Sequence, residues 1–263
     1  MINSESIGKA LAWEEKRKAD LALGNFSAVR QSYRKQRDFL PDDNQANFWD
    51  ERFQEQKKIQ REAFAYESAI EKWRIEKVLS RLNYQQSILN LGVGSGRLEA
   101  RLLPKIKPDQ YLGSDITKET LKQLRRAFPQ YHFQRAQLEK LPIANESFDQ
   151  VLLFEVLEHI RPNKTFQVLA EIKRVLKKGG RLFISVPVNE GLENFLPKNP
   201  SAHQRLYSLA LLSFELEQSD FLIREIYSAS AFSKNFKIKH LINQMFKLRL
   251  ANNYFLIAEK KFS

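Results

Sequence analysis

The 263-residue chain contains no cysteine. Disulfides, thiolate metal sites and cysteine nucleophiles are therefore excluded. No apolar run approaches the roughly 20 residues that a membrane-spanning helix requires. The first stretch, MINSESIGKALAWEEKRKAD, lacks the apolar centre of a secretory leader. These absences predict a cytoplasmic location. Glycine is scarce, at 9 residues, yet three stand at alternate positions in "LGVGSGR". No Gly-Lys-Ser/Thr follows that stretch, which rules out a phosphate-cradling P-loop.

What is present is an ordinary globular composition, 43% hydrophobic and 28% charged, with a basic bias of +12. The bias is uneven. Of the 43 basic and 31 acidic residues, 16 and 14 fall in residues 1–85, so a net +10 remains in 86–263. An acidic partner such as nucleic acid, a phosphorylated metabolite or an anionic membrane surface fits that charge, and so does a basic enzyme with no polyanion partner.

Residues 1–45 read as a polar helical extension with a turn at Gly24-Asn25 and a stop at Pro41. Residues 46–82 read as further helix, with Phe48, Trp49 and Phe53 as aromatic anchors. From residue 87 the texture changes to short apolar runs alternating with amphipathic stretches. Strands are predicted at 87–91, 110–114, 132–135, 150–154, 181–186, 221–227 and 253–259. Helices are predicted at 96–103, 118–127, 164–177 and 206–217. This alternation predicts βαβ units in a mostly parallel, doubly wound sheet. A basic segment at 232–249, rich in lysine and large apolar residues, interrupts the last two strands.

Gly92, Gly94 and Gly96 leave a strand and open a helix, where bare backbone can approach a ligand. About 20 residues on, "YLGSDIT" places Asp115 at the end of the next strand. A carboxylate there can accept both hydroxyls of a ribose, or cap the helix that starts near Thr117. A third segment, "AQLEKLPIANESFDQVLLFEVLEHI", follows in order.

With these three segments the chain resembles the class I S-adenosylmethionine-dependent methyltransferases, in the branch of quinone-biosynthesis and related small-molecule enzymes. The resemblance spans residues 48–259, about four-fifths of the chain. It implies a Rossmann-like, seven-stranded, mostly parallel sheet with an antiparallel last strand, in a domain of residues 46–263. It also implies S-adenosyl-L-methionine as cofactor. The loop Gly92, Gly94, Gly96 would pack on it, Asp115 would hold the ribose, and Ile116, Gln137 and Leu138 would surround the adenine. Phe154 and Glu155 would border the methyl donor, and Arg74 matches an arginine that some relatives use for the cofactor carboxylate. Two positions depart from the pattern: Asn90 and Gln137 stand where an acid is usual. Both keep a carbonyl oxygen that accepts a hydrogen bond but lose the charge that strengthens it.

"EVLEHI" brings Glu155, Glu158 and His159 together in sequence. The pattern resembles the metal-binding motif of quinone-precursor O-methyltransferases and of small-RNA 3′-terminal ribose methyltransferases, with His203 as a further candidate ligand. Glu155, His159 and His203 are accordingly the candidate catalytic residues. The histidines would serve as a metal-free base, as ligands of a divalent metal, or in plain structural roles. No Asn/Asp-Pro-Pro-Tyr follows the fourth strand, which argues against methylation of exocyclic base amines. The expected reaction is O-methylation of a small molecule or of a glycan- or lipid-linked precursor. An RNA methyltransferase and a non-catalytic cofactor-binding scaffold are the alternatives. The basic segment leaves peripheral membrane contact open.

Overall fold

A computed structural model of the chain describes residues 46–59, 68–188, 203–205, 207–229 and 251–261. The extension at 1–45 and the basic segment at 232–249 lie outside the described residues. Among the described residues no helix is long and apolar enough to cross a membrane.

The elements run α1 (Ala46–Ile59), α2 (Ala69–Leu79), β1 (Ile88–Leu91), α3 (Arg97–Leu102), β2 (Tyr111–Asp115), α4 (Lys118–Ala127), β3 (His132–Arg135), β4 (Phe148–Phe154), α5 (Thr165–Val175), β5 (Leu176–Pro187), α6 (Leu209–Gln218), β6 (Phe221–Ala229) and β7 (Asn253–Lys260). The seven strands form one sheet in the order β3-β2-β1-β4-β5-β7-β6. β7 lies antiparallel to both β5 and β6, and the other pairings are parallel.

β1 is buried along its whole length because helices cover both faces of the sheet. Alternate residues point to opposite sides. Leu89, Leu91, Val151 and Leu153 join the core under α5 and α6. Ile88, Leu152, Phe183 and Phe255 join the core under α2 to α4. Asn90 shares the Ile88 face and is 3% exposed, a polar side chain inside that second core.

Helix starts follow their sequence signals. The Ser68 hydroxyl accepts from the Glu71 amide at 3.1 Å and caps α2. The Ser208 hydroxyl caps α6 by accepting from the Leu211 amide at 3.2 Å. Each such cap stabilises by about 1 kcal/mol.

One element ends earlier than its periodicity predicts. α5 stops at Val175, not Lys177, because its last carbonyls are taken from outside the helix. The amides of Glu146 and Ser147 donate to Arg174 and Val175 at 2.9 and 2.8 Å, and Lys260 Nζ donates to the Leu176 carbonyl at 2.6 Å. Leu176 then pairs with Phe148, and residues 177–180 bulge out before Arg181 pairs with Gln150.

The most demanding buried group is Arg205. Its side chain is fully buried and paired with Glu215. It also donates to Thr165 Oγ1, and its guanidinium lies 4.5 Å from the centre of the Tyr207 ring. The Tyr207 hydroxyl donates to the second Glu215 oxygen at 3.0 Å. The cluster locks the segment after His203 onto α5 and α6. Glu215→Leu leaves a buried guanidinium without its counter-charge and is expected to cost about 3–5 kcal/mol in urea unfolding. Arg205→Met combined with Glu215→Leu should cost clearly less, since no charge is then stranded. An equal loss in the double variant would show that packing, not charge, dominates.

Candidate cofactor and acceptor site

The strand order reverses between β1 and β4, since β1 connects leftward to β2 and β4 rightward to β5. At such a point the loops leave a crevice at the carboxyl ends of the strands. Here it is a cleft of about 760 Å³, within the usual range for small-molecule sites.

The first wall is the glycine loop. Gly92, Gly94 and Gly96 have φ of 80°, 52° and 78°, a region that side chains rarely enter. A Cβ on Gly92 would stand 2.4 Å from Val156 Cγ2, whereas one on Gly94 would meet nothing nearer than the Gly92 carbonyl oxygen at 4.0 Å. Gly92 thus lets the β1 and β4 loops close on each other. Gly94 leaves open space for a ligand. The Gly94 amide donates to Asp115 Oδ2 at 3.1 Å, and the Thr117 amide and hydroxyl donate to Oδ1 at 3.0 and 2.8 Å. Asp115 therefore ties the loop to the start of α4 while lining the cleft. Ile116, Gln137 and Leu138 line it as well.

The second wall is built by the turn after β4. Glu155 holds φ of 53°, a strain of about 1–3 kcal/mol for a residue with a side chain. Its carboxylate accepts from Ser185 Oγ at 2.7 Å and from Asn253 Nδ2 at 3.0 and 3.1 Å. Arg74 pairs with it at 3.3 Å. Phe154 packs edge-on against Phe255, ring centres 6.0 Å apart, and lines a smaller cavity beside Gly94 with Asn90 and Arg74.

His159 lines the main cleft and meets His203 edge-on at 4.8 Å between ring centres. Trp49 also meets it edge-on, with ring centres 4.7 Å apart. Glu158 is buried, and one of its oxygens lies 3.9 Å from His159 Nε2. Donor atoms of Glu158, His159 and His203 all lie within 4.8 Å of one another. Glu155 is drawn into the Arg74, Ser185 and Asn253 network, so the group that converges here is Glu158, His159 and His203.

Sequence reading did not foresee two features. Helix α1 supplies a wall: Trp49, Arg52 and Phe53 line the cleft, and Asp50 accepts from the Glu119 amide at 3.3 Å, anchoring α1 at the start of α4. The aromatic residues were visible, but their partner lies more than a hundred residues away. The other feature is Glu99, fully buried beside Asn90. Its place on the apolar stripe of Leu98 and Leu102 was the available signal.

These residues fit S-adenosylmethionine. The loop offers left-handed, open backbone at Gly94, Asp115 offers two carboxylate oxygens to a ribose, and apolar Ile116 and Leu138 suit an adenine edge.

Comparison with known proteins agrees. Residues 89–184 match the family described as methyltransferase domain. A Mycolicibacterium smegmatis protein named as an S-adenosylmethionine-dependent methyltransferase is 29% identical over 157 residues, 58% of this chain and 59% of that one. The phthiotriol/phenolphthiotriol dimycocerosates methyltransferase of Mycobacterium leprae is 37% identical over 97 residues, 36% of this chain and 35% of that one. The O-methyltransferase cnsE of Penicillium expansum is 35% identical over 111 residues, 40% of this chain and 39% of that one. The matches thus span about a third to three-fifths of the length of these relatives. Among solved structures, the YcgJ protein of Bacillus subtilis aligns with a TM-score of 0.55 at 16% identity, over 73% of this chain and 100% of that one. The [4+2]-cyclase SpnF aligns with a TM-score of 0.56 at 17% identity, over 72% and 80%. Residues 89–184 thus carry a methyltransferase domain, in a fold shared with S-adenosylmethionine-dependent methyltransferases of known structure.

Two substitutions test the loop. Gly94→Val places a side chain in the open space of the cleft at a φ that valine resists, and Asp115→Ala removes the carboxylate that could accept a ribose. Calorimetry with S-adenosylhomocysteine should show each weakening binding by about tenfold or more, a loss of ~1.4 kcal/mol. Unchanged affinity in both folded variants would refute this placement of the cofactor.

Proposed function

We propose that the chain methylates an oxygen atom of a small molecule or of a lipid- or glycan-linked precursor. The observation that carries this reading is His159, an imidazole that lines the same cleft as the glycine loop and is braced by Trp49 and His203. When bound, S-adenosylmethionine supplies an activated methyl group on a sulfonium, displaced in line. The protein's task is then to align the acceptor and exclude water. A base is needed only where the acceptor must lose a proton, as a hydroxyl does.

Asp115 would hold the ribose and the Gly92–Gly94 backbone the neighbouring part of the cofactor, while Trp49 and Phe53 would cover the acceptor from α1. The His159 imidazole would accept the hydroxyl proton. His203 and Trp49, each edge-on to it, restrict its rotation. Two of the named relatives are consistent with this: one is named as an O-methyltransferase, and another as a methyltransferase of phthiotriol/phenolphthiotriol dimycocerosates.

The test combines labelled cofactor with cell extract separated into small-molecule, lipid and RNA fractions. Label is expected in a non-RNA fraction. His159→Ala should lower turnover by about a hundredfold, the usual contribution of a general base, with S-adenosylhomocysteine affinity unchanged. Label confined to RNA would favour an RNA acceptor. Tight cofactor binding without turnover on any fraction would favour a non-catalytic role.

A second reading uses the same cluster. One carboxylate and two imidazoles within 4.8 Å make a donor set suited to a divalent first-row ion. Such an ion would polarise an oxygen acceptor and lower its proton affinity. The two readings separate on chelation. With a metal-free base, turnover survives exhaustive treatment with a chelator. With a metal, turnover is lost, returns on adding manganese or zinc, and is not restored in His203→Ala.

A further inference from the structure

Asn90 is 3% exposed, on the β1 face that looks into the second core. Its Nδ2 donates to Glu99 Oε1 at 2.6 Å. Its Oδ1 is buried and has no hydrogen-bond partner. A buried carbonyl oxygen left so costs about 1–3 kcal/mol, which points to a donor that arrives with a ligand. Asn90 lines a cavity of about 120 Å³ that shares Gly92, Gly94 and Ser95 with the main cleft. Two arginines also line it, and both are already paired: Arg74 with Glu155 and Arg97 with Glu71 at 2.9 Å. Asn90 Oδ1 is therefore the acceptor still to be met there.

Glu99 decides which end of the Asn90 amide faces the cavity. Its Oε1 accepts from Asn90 and, at 2.6 Å, from the Tyr111 hydroxyl. A turned amide would set Oδ1 against Oε1 at the same separation, oxygen against oxygen. With Glu99 ionised, the NH₂ therefore points to Glu99 and the carbonyl away from it. A carboxylate polarising that NH₂ also makes the carbonyl a stronger acceptor, because hydrogen bonds in series reinforce each other.

We infer that Glu99 is a positioning residue for the amino end of the cofactor: it orients Asn90 so that Oδ1 accepts from the cofactor's ammonium group. This rests on the cofactor reading above. The negative charge absent at position 90 would then stand one hydrogen bond further back, at 99. Burial raises the proton affinity of Glu99, and the hydrogen bonds from Tyr111 and Asn90 oppose that rise. In either protonation state Oε1 can accept from Asn90.

The experiment compares two ligands by calorimetry. S-Adenosylhomocysteine carries the amino acid end, whereas 5′-methylthioadenosine shares the adenosine and lacks that end. Glu99→Leu is expected to weaken S-adenosylhomocysteine by about tenfold and to leave methylthioadenosine within about twofold. Glu99→Gln, a milder change whose amide can present NH₂ to Asn90, should give a smaller loss of the same selective kind. Asn90→Asp with Glu99→Leu restores an acceptor charge at 90 and should recover most of the affinity. Tyr111→Phe, which leaves the Asn90–Glu99 bond in place, should spare both ligands. An equal loss for both ligands in the Glu99 variants, or no recovery in the double variant, overturns the inference while the cofactor reading stands. Wild-type protein that binds neither ligand overturns the cofactor reading itself.

Discussion

At Gly92 the loop leaving β1 passes so close to the loop leaving β4 that one extra carbon would collide with Val156. The rest of the site depends on that approach. β1 and β4 are neighbours in a parallel sheet whose order reverses between them, so their loops diverge to opposite faces and open a crevice. Val156, next to Glu155, lines that crevice. Glu155 then turns through a left-handed conformation that it would not adopt alone. Ser185 on β5, Asn253 on β7 and Arg74 on α2 hold it there. Three elements distant in sequence thus offset the local strain at one corner.

The residues that line the cleft fall into two groups of different character. The glycine side offers backbone and a carboxylate, which suits a nucleoside. The other group is Trp49, Phe53, His159 and the cations Arg52, Arg161 and Lys164. Its position comes from two long-range anchors. Asp50 accepts an otherwise unsatisfied amide at the start of α4, and the Arg205–Glu215 pair secures the segment that carries His203. The chemistry proposed for the cleft rests on this second group. The fold cannot supply it, since a [4+2]-cyclase shares the same architecture.

The treatment of charge is consistent across the domain. Arg205 and Glu99 are buried ionisable side chains with polar partners close by: Arg205 meets Glu215 and Thr165, and Glu99 meets Asn90 and Tyr111. The ion pair ties loop to helices. The Asn90–Glu99–Tyr111 group ties β1, α3 and β2 together directly behind the glycine loop. Burying such groups is costly unless they are satisfied, so each restricts the backbone around it to a narrow geometry.

The sequence by itself determined the seven strands, the mostly parallel doubly wound sheet, the glycine loop and the place of Asp115. Those features are local: strand and helix periods, left-handed glycines and a carboxylate at a strand end are written in neighbouring residues. The early end of α5 escaped because its last carbonyls bond to residues 146, 147 and 260, which periodicity does not see. The Glu-x-x-Glu-His motif was legible, but its division was not. Only the packed structure sends Glu155 to Arg74, Ser185 and Asn253 and gathers Glu158, His159 and His203 in their place. The contribution of α1 to the cleft and the Asn90–Glu99 bond were likewise decided in three dimensions. A side chain's chemistry depends on which partners satisfy it, and these partners meet only when distant elements pack against one sheet.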